Sequence, residues 1–421
     1  MLDQNALELA RQVGRNVFPA FGEIGEQVFE ELELAFASKL PGSTKFSNSG
    51  ESRSVQHLLL YWQTGYFKNT LINVFEKCLP EGTSPTRQTG LTAETLFGSI
   101  NTRGDALVPP VFHKKDFCII SELSALLESG ESLSNKAHTF NEALEHQLVG
   151  RSLIKFASAT ADVKSEYAPP EGKDGLILDG ITLHYTSNTL FIVATHPLDI
   201  KTFSTLNSFG FLSRFHVLQY DITEDIMRNV RTGTNVQEGT NLGLLEELAA
   251  ELKNENQKLW DTRPQAVALP DYKAILLPVF EQSERYIAKV VDKFDDEKGK
   301  DKILKELSHP RIRGNLTREI AAYRLLNKSS TAEDTILWTI QRLPHFYSFA
   351  LQPIIDDNYV RAKEKRTAVE DCANAIRTSL RGQVQRQKIE EAMENQGFKR
   401  DTIARALKAF KKTDRGIYEI E

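Results

Sequence analysis

Cysteine is scarce: three in 421 residues, at positions 78, 118 and 372, with no CxxC pair anywhere. That is too few and too scattered for a disulfide framework or a four-ligand zinc site, and it fits a reducing compartment. Long hydrophobic runs are missing too, none approaching the roughly 20 apolar residues that span a bilayer. The opening MLDQNALELARQVGRN contains no apolar signal-peptide region. A cytoplasmic protein with no membrane partner is therefore expected. Charge of one sign is also lacking, since 52 Lys and Arg against 57 Asp and Glu leave a net −5, which taken alone disfavours a nucleic-acid partner. What is present is ordinary. The chain is 40% hydrophobic and 26% charged, enough to bury a sizeable core, and its length suggests two to three domains.

The net charge hides an asymmetry. From Arg361 to Glu421 there are 15 basic and 10 acidic residues, a local +5. The other 360 residues hold 37 basic and 47 acidic groups, or −10. A basic tail on an acidic body suits an enzyme with a nucleic-acid-binding appendage, although so modest an excess also arises by chance.

Periodicity divides the chain further. Leu2 to Leu40 has helical spacing interrupted at Pro19 and Gly22, and the polar run from Pro41 to Ser54 reads as a loop. Short buried-strand runs follow at Leu58–Trp62, Phe117–Ile120, Leu190–Ala194 and Phe215–Leu218, with helical stretches between them, one from Glu122 to Leu127. Strands alternating with helices argue for an α/β fold, a parallel sheet with helices on both faces. Asp162 to Asp179 reads as a hairpin or exposed loop. Beyond Asp225 the pattern is helical, including separate helices over Glu333–Leu343 and Val360–Leu380. The end reads as helix (Gln385–Glu394), turn at Gly397, helix (Arg400–Lys411) and strand (Ile417–Ile420), a winged-helix arrangement.

After the first strand, Gln63-Thr64-Gly65-Tyr66-Phe67-Lys68-Asn69-Thr70 opens a helix. A strand, a glycine-containing turn, a lysine and a hydroxyl residue at a helix start form the architecture of a phosphate loop, in which backbone N–H groups cradle phosphate oxygens. Against G-x-x-x-x-G-K-[ST], Phe67 stands where glycine precedes the lysine, Asn69 takes the magnesium-hydroxyl place, and Thr70 lies one residue late. An ordinary strand-to-helix turn is the alternative. The second strand ends Ser121-Glu122, keeping the acid that could polarise water but with serine in the metal-side place; a helix N-terminal acid is the plainer reading. The third strand ends Thr195-His196-Pro197.

Several segments, in order, resemble the AAA+ motor core of the MCM replicative helicase family in divergent form. Gly90-Leu91-Thr92-Ala93 is similar to that family's GLTA, Glu142–Val149 to its EAMEQQTV, and Ser152–Ala157 to its SIAKAG strand. Ala194–Pro197 is similar to AANP at the sensor-1 strand end, and Phe211–Phe215 to LLSRFD, which carries the arginine finger. Leu316–Leu326 and Thr331–Thr335 resemble the sensor-2 helix and its VTEED continuation. The likeness is colinear from about Val17 to the end. No room precedes Val17 for the family's N-terminal collar, an OB barrel with a zinc ribbon.

The resemblance implies an AAA+ core over residues 55–225 behind a helical segment at 1–54, a helical lid at 226–350, and a linker helix with a winged helix at 351–421. It implies ATP and Mg2+ as cofactors. Gly65, Lys68, Asn69 and Thr70 would hold phosphates, with Asn69 and Thr70 as the metal side. Glu122 would orient the hydrolytic water, His196 would stand for the sensor-1 asparagine, and Arg214 would reach into a neighbouring subunit's site. Arg318, or Arg313, would be the sensor-2 arginine, and Lys155 would face DNA in a central channel. A residue acting in trans implies a homo-oligomeric ring, most simply a hexamer, with collar functions supplied by another protein. In the tail, Arg400, Arg405, Lys408 and Lys411 would contact DNA phosphates. The expected function is a DNA-binding, ATP-using motor. The alternative is a degenerate homologue that keeps the fold as a non-hydrolysing DNA-binding or assembly partner. The departures at positions 67, 69, 121 and 196 bear on that choice.

Overall fold

The computed structural model describes residues 6–420 except 18, 22, 47–49, 64–66, 89–98, 101–106, 109, 124–132, 146–147, 153–175, 180–181, 187–188, 199–201, 203–205, 207–209, 221–222, 225, 229–241, 270–271, 293–299, 301–303, 305–309 and 415. The chain divides into Met1–Leu351 and Gln352–Glu421.

In chain order the helices are α1 (Ala6–Val17), α2 (Glu23–Lys39), α3 (Lys68–Lys77), α4 (Leu133–Leu144), α5 (Leu242–Asp261), α6 (Leu277–Val291), α7 (Pro310–Leu326), α8 (Ala332–Ser379), α9 (Arg386–Glu394) and α10 (Arg400–Ala406). The strands of the first half are β1 (Ser43–Phe46), β2 (Gly50–Ser52), β3 (His57–Tyr61), β4 (Pro85–Gln88), β5 (Ser99–Ile100), β6 (Leu107–Val108), β7 (Phe117–Ile120) and β8 (Leu148–Ser152). Those of the second half are β9 (Leu176–Asp179), β10 (Thr182–Thr186), β11 (Leu190–Thr195), β12 (Phe215–Gln219), β13 (Ala266–Leu269), β14 (Gly382–Gln385), β15 (Lys411–Asp414) and β16 (Ile417–Ile420).

The larger unit is α/β. Its central sheet has five parallel strands in the order β12-β3-β11-β7-β4. Successive strand side chains point to opposite faces. Leu58, Leu60, Ile119, Ile192 and Ala194 accordingly pack in one core with α1, α2 and α5. Leu59, Tyr61, Cys118, Ile120, Phe191 and Val193 pack in a second core with Phe140 and Ala143 of α4. A sheet covered on both faces has no polar side, so its strands read as unbroken apolar runs. The three cysteines are buried free thiols. Among the described residues, no helix is long and apolar enough to cross a membrane.

Several expectations are corrected here. The polar stretch 41–54 is not wholly loop: β1 and β2 form an antiparallel pair, and β1 also lies parallel to β13, a strand inside the region expected to be all helix. Pairing with a partner more than 200 residues away overrides local polarity. The helix expected from Glu122 is absent at residues 121–123, and 124–127 lie outside the described residues. Of the 162–179 segment, 162–175 lie outside them too, while β9 pairs antiparallel with β10. The helices expected at 333–343 and 360–380 are one helix, α8.

Helix α2 places three glutamates, Glu30, Glu31 and Glu33, inside the protein. It crosses α1 at Gly14 and Gly25, where a Cβ on either glycine would collide with the other's carbonyl. Carboxylates buried in this way each need an internal partner or a proton. Arg342 from α8 pairs with Glu30, Glu31 and Glu319 of α7, and Arg11 of α1 with Glu30. Among the described residues, no cation pairs with Glu33. The Asn256 amide donates to Glu33 Oε2 at 3.3 Å and to the Cys78 carbonyl at 3.1 Å. Burial pushes the Glu33 carboxyl up to about 8.

In the smaller unit, β14-β16-β15 form an antiparallel sheet. Cys372, Ile376, Ile389, Met393, Ile403, Leu407 and Ile420 make its core. The helix expected over 400–411 stops at Ala406 and continues as a 3-10 turn over Leu407–Ala409, so Lys411 sits on strand β15.

A proton held by Glu33 in the folded state but released by the unfolded chain costs stability as pH rises from about 4.5 through about 8. Glu33→Gln should therefore raise the melting temperature relative to the native chain at pH 8 and little at pH 5. The check is thermal denaturation of both proteins across that range.

Candidate functional site

The strand order fixes where a ligand crevice opens. The chain leaves β3 toward the β4 edge, and leaves β11 across β3 to reach β12. The first packs on one face of the sheet, through Leu71, Ile72 and Phe75, and the second on the other, through Leu206 and Phe211. Connections that part to opposite faces from adjacent parallel strands leave a crevice at their carboxyl ends. Three expected site residues meet there: Lys68 after β3, Glu122 after β7 and His196 after β11. The Leu123 N–H donates to the Ala194 carbonyl at 3.0 Å, and the Leu198 N–H to the Tyr61 hydroxyl at 3.0 Å, binding the three strand ends together.

Lys68 opens α3 and is buried. Its ammonium donates to the backbone carbonyls of Trp62 and, at 3.1 Å, of Gln63, and lies 5.4 Å from the Trp62 ring centroid. Burial lowers its pKa to about 8, opposed by the charge of Glu122. The residue before it, Phe67, has φ 58° and ψ 10°. This left-handed conformation ordinarily falls to glycine, so the turn keeps the glycine's backbone shape without the glycine. The Phe67 ring meets Phe21 edge-on, centroids 5.7 Å apart, and makes no side-chain cap on α3. Phe67 therefore offers no side-chain acceptor to the first-turn N–H groups of α3, and N–H groups at a helix start can bind an anion. Asn69 is exposed and Thr70 half-buried in that turn. Gly65 lies outside the described residues.

Glu122 Oε1 accepts from the Thr195 hydroxyl at 3.2 Å and lies 3.3 Å from His196 Nδ1. Carboxylate, hydroxyl and imidazole are thereby joined on adjacent strand ends, an arrangement able to hold and orient a water. Ser121 faces elsewhere: its hydroxyl accepts from Arg87 Nε at 3.1 Å, and Arg87 also pairs with Glu76 and Asn73.

The arginines gather at the opposite, amino-terminal end of the strands. Arg214 precedes β12, and Arg318 lies on α7. Both line a cavity of about 220 Å³ with Arg53, His57, Glu145 and Arg311. Arg214 Nη2 is 2.6 Å and Arg311 Nη2 3.0 Å from Glu145 Oε1. Arg318 donates to Asn315 Oδ1 at 2.8 Å and to the Arg53 carbonyl at 3.1 Å. Burial lowers the pKa of Arg214, Arg53 and Arg318. Arg313 points away from this cavity, 2.6 Å from Glu284 and over the Phe280 ring. Sequence reasoning missed Arg53, Glu145 and Arg311. Only Arg311 left a signal, its seven-residue spacing from Arg318, which places both on one helix face. Arg53 and Glu145 reach the pocket through tertiary folding.

His57 also lines this cavity, as a satisfied core residue. Nδ1 accepts from the Phe191 N–H at 3.2 Å, so Nε2 carries the proton and donates to the Leu144 carbonyl at 2.7 Å. Burial lowers its pKa to about 3.

Among the described residues, Glu31, His216 and Glu319 form the one group able to offer three ligand atoms to a metal ion, those atoms lying within 4.8 Å of one another. Arg342 sits on both carboxylates, and His216 Nε2 is 3.3 Å from Glu31 Oε2. Burial acts to lower the His216 pKa, but Glu31 outweighs it and the net shift is upward. A proton on His216 balances the cluster, which joins α2, β12, α7 and α8.

In the smaller unit Arg400, Arg405, Lys408 and Lys411 are exposed. Arg400 pairs with Glu394, and Lys411 with Glu419 at 3.3 Å. Lys155 lies outside the described residues.

No protein-family model matches the chain. No curated protein matches it either.

The His57 ring should stay neutral, as the Nε2–H tautomer, from pH 5 to pH 8 in long-range 1H–15N spectra. A midpoint near 6.5 would contradict the assignment.

Proposed function

We propose that the protein is an MCM-like AAA+ ring ATPase that binds ATP at the crevice holding Lys68 and acts on DNA. The observation that carries this reading is the polarity of the sheet. Lys68, Glu122 and His196 lie at the carboxyl ends of the strands, and Arg214 and Arg318 at the amino ends. Strands of this length separate the two groups by about 16 Å. One chain cannot bring both to one nucleotide. Copies arranged head to tail can, each presenting arginines to the next chain's phosphates, and such heterologous contacts form a ring when the rotation between copies closes.

In this reading the phosphates lie on the first turn of α3, and Lys68 exchanges its carbonyl partners for phosphate oxygens. Glu122, steadied by Thr195 and His196, orients the attacking water. Arg214, with Arg318 beside it, stabilises charge on the transferring phosphoryl group from the neighbouring subunit. Mg2+ would neutralise phosphate charge, with Thr70 and Asn69 as the nearest protein oxygens along the chain. The exposed Arg405 and Lys408 suit DNA phosphate contacts.

One observation favours the second reading, a non-hydrolysing DNA-binding or assembly partner. Ser121 stands where a metal-side carboxylate is expected, and the Arg87 guanidinium is hydrogen-bonded to it. That position therefore offers no carboxylate to a metal ion.

Hydrolysis of radiolabelled ATP, with and without single- and double-stranded DNA, separates the two. The motor reading expects hydrolysis that falls at least about 100-fold in Lys68→Ala; equal rates in both proteins would end it. Because the Lys68 ammonium loses its proton near pH 8, nucleotide affinity should weaken as pH rises from 7 to 9. Lys68→Ala should show no such trend in calorimetric titrations.

A further inference from the structure

The arginine cavity has a charge imbalance. Among the described residues lining it, four are arginines and one, Glu145, is a carboxylate, while His57 is held neutral by its two hydrogen bonds. Arg53 is exposed and the other three are partly buried. Guanidinium groups converging with few anions are unfavourable, and the usual remedy is an oxyanion that accepts several N–H groups at once. Glu145 is an incomplete remedy: one oxygen, Oε1, serves both Arg214 at 2.6 Å and Arg311 at 3.0 Å. Arg214 Nε, though buried, has no hydrogen-bond partner among the described residues.

The backbone is shaped to let these guanidiniums converge. Gly210 has φ +65°, and a Cβ there would stand 3.0 Å from Arg311 Nη1 and 3.2 Å from Arg214 Nη1. Its carbonyl also accepts from Arg214 Nη1. A side chain at position 210 would crowd both arginines.

We infer that this cavity is a binding site for a phosphoryl oxyanion and that Glu145 is its resident competitor, holding Arg214 and Arg311 within their own chain until a phosphate displaces it. A phosphate brings more charge and more acceptor oxygens than one carboxylate, so it wins when delivered at high local concentration and loses when dilute. The arginines then act only when a phosphate-bearing neighbour is in place. That consequence rests on the ring reading above. Anion binding and the competition do not, since a single chain contains all the groups involved.

The test uses inorganic tripolyphosphate and the full chain in a Lys68→Ala background, which removes the other phosphate-binding lysine. Calorimetry at low salt compares that protein with the same protein carrying Glu145→Gln, and with one carrying Glu145→Gln and Arg214→Ala. Removing the competitor should tighten binding about tenfold, the worth of one charge-assisted hydrogen-bond pair. The added Arg214→Ala should abolish that gain. Glu145→Asp, which keeps the charge on a shorter stem, should fall between, and it covers the case in which Glu145→Gln does not fold. Affinity unchanged by Glu145→Gln or Glu145→Asp in folded protein, or a gain that survives Arg214→Ala, would overturn the inference. Absence of ATP hydrolysis by the native chain, with the tripolyphosphate pattern intact, would count against the ring motor alone.

Discussion

The direction of five short parallel strands governs every functional statement about this protein. All five run the same way, so side chains at their two ends cannot meet across the sheet. The lysine, glutamate and histidine fall at one end because the chain leaves β3, β7 and β11 there. The arginines fall at the other because they sit just before β12 and on α7, which packs against the 3-10 turn leading into it. The sheet keeps this polarity because both its faces are buried. A one-residue slip of β3 would exchange Leu58 and Leu60 with Leu59 and Tyr61 and disrupt both cores at once.

Around that sheet the protein buries charge as well as hydrocarbon. Helix α2 carries Glu30, Glu31 and Glu33 inside, and Arg342 gathers two of them together with Glu319. Such a cluster adds little net stability over an apolar core of the same shape, but losing one partner leaves a charge stranded at a cost of about 3–5 kcal/mol. It therefore fixes which helices can lie together and, through His216, where β12 begins. The start of β12 is where Arg214 is presented. Structural ion network and arginine pocket thus lie back to back on α7, with Glu319 in one and Arg318 in the other.

Much of this was legible in the sequence, for physical reasons. Doubly covered strands announce themselves as apolar runs, and four of the five central strands were read within a residue or two. The fifth, β4, was invisible because Pro-Thr-Arg-Gln is an edge strand with one neighbour and no apolar signature. β1 and β13 were missed for a related reason, since each is made a strand by the other. Lys68, Glu122 and His196 could be placed because all three follow strands, whereas Glu145 and Arg53 have no local pattern and reach their positions only through the fold. Phe67 looked like a defect in the turn, yet its backbone takes the left-handed conformation that glycine would supply. The buried glutamates of α2 left no mark in the sequence, which does not show what packs against a helix.

The central claim is that one functional site is built from two chains, with Lys68 from the first and Arg214 from the second. Mixing two inactive variants tests it directly. Lys68→Ala and Arg214→Ala proteins, each without ATPase activity alone, should regain activity when mixed in equal amounts and reassembled. Random assembly pairs an intact Lys68 with an intact Arg214 at about a quarter of the interfaces, so about a quarter of the native rate is expected. Mixtures as inactive as their components, under conditions where subunits exchange and the native chain hydrolyses ATP, would contradict the account.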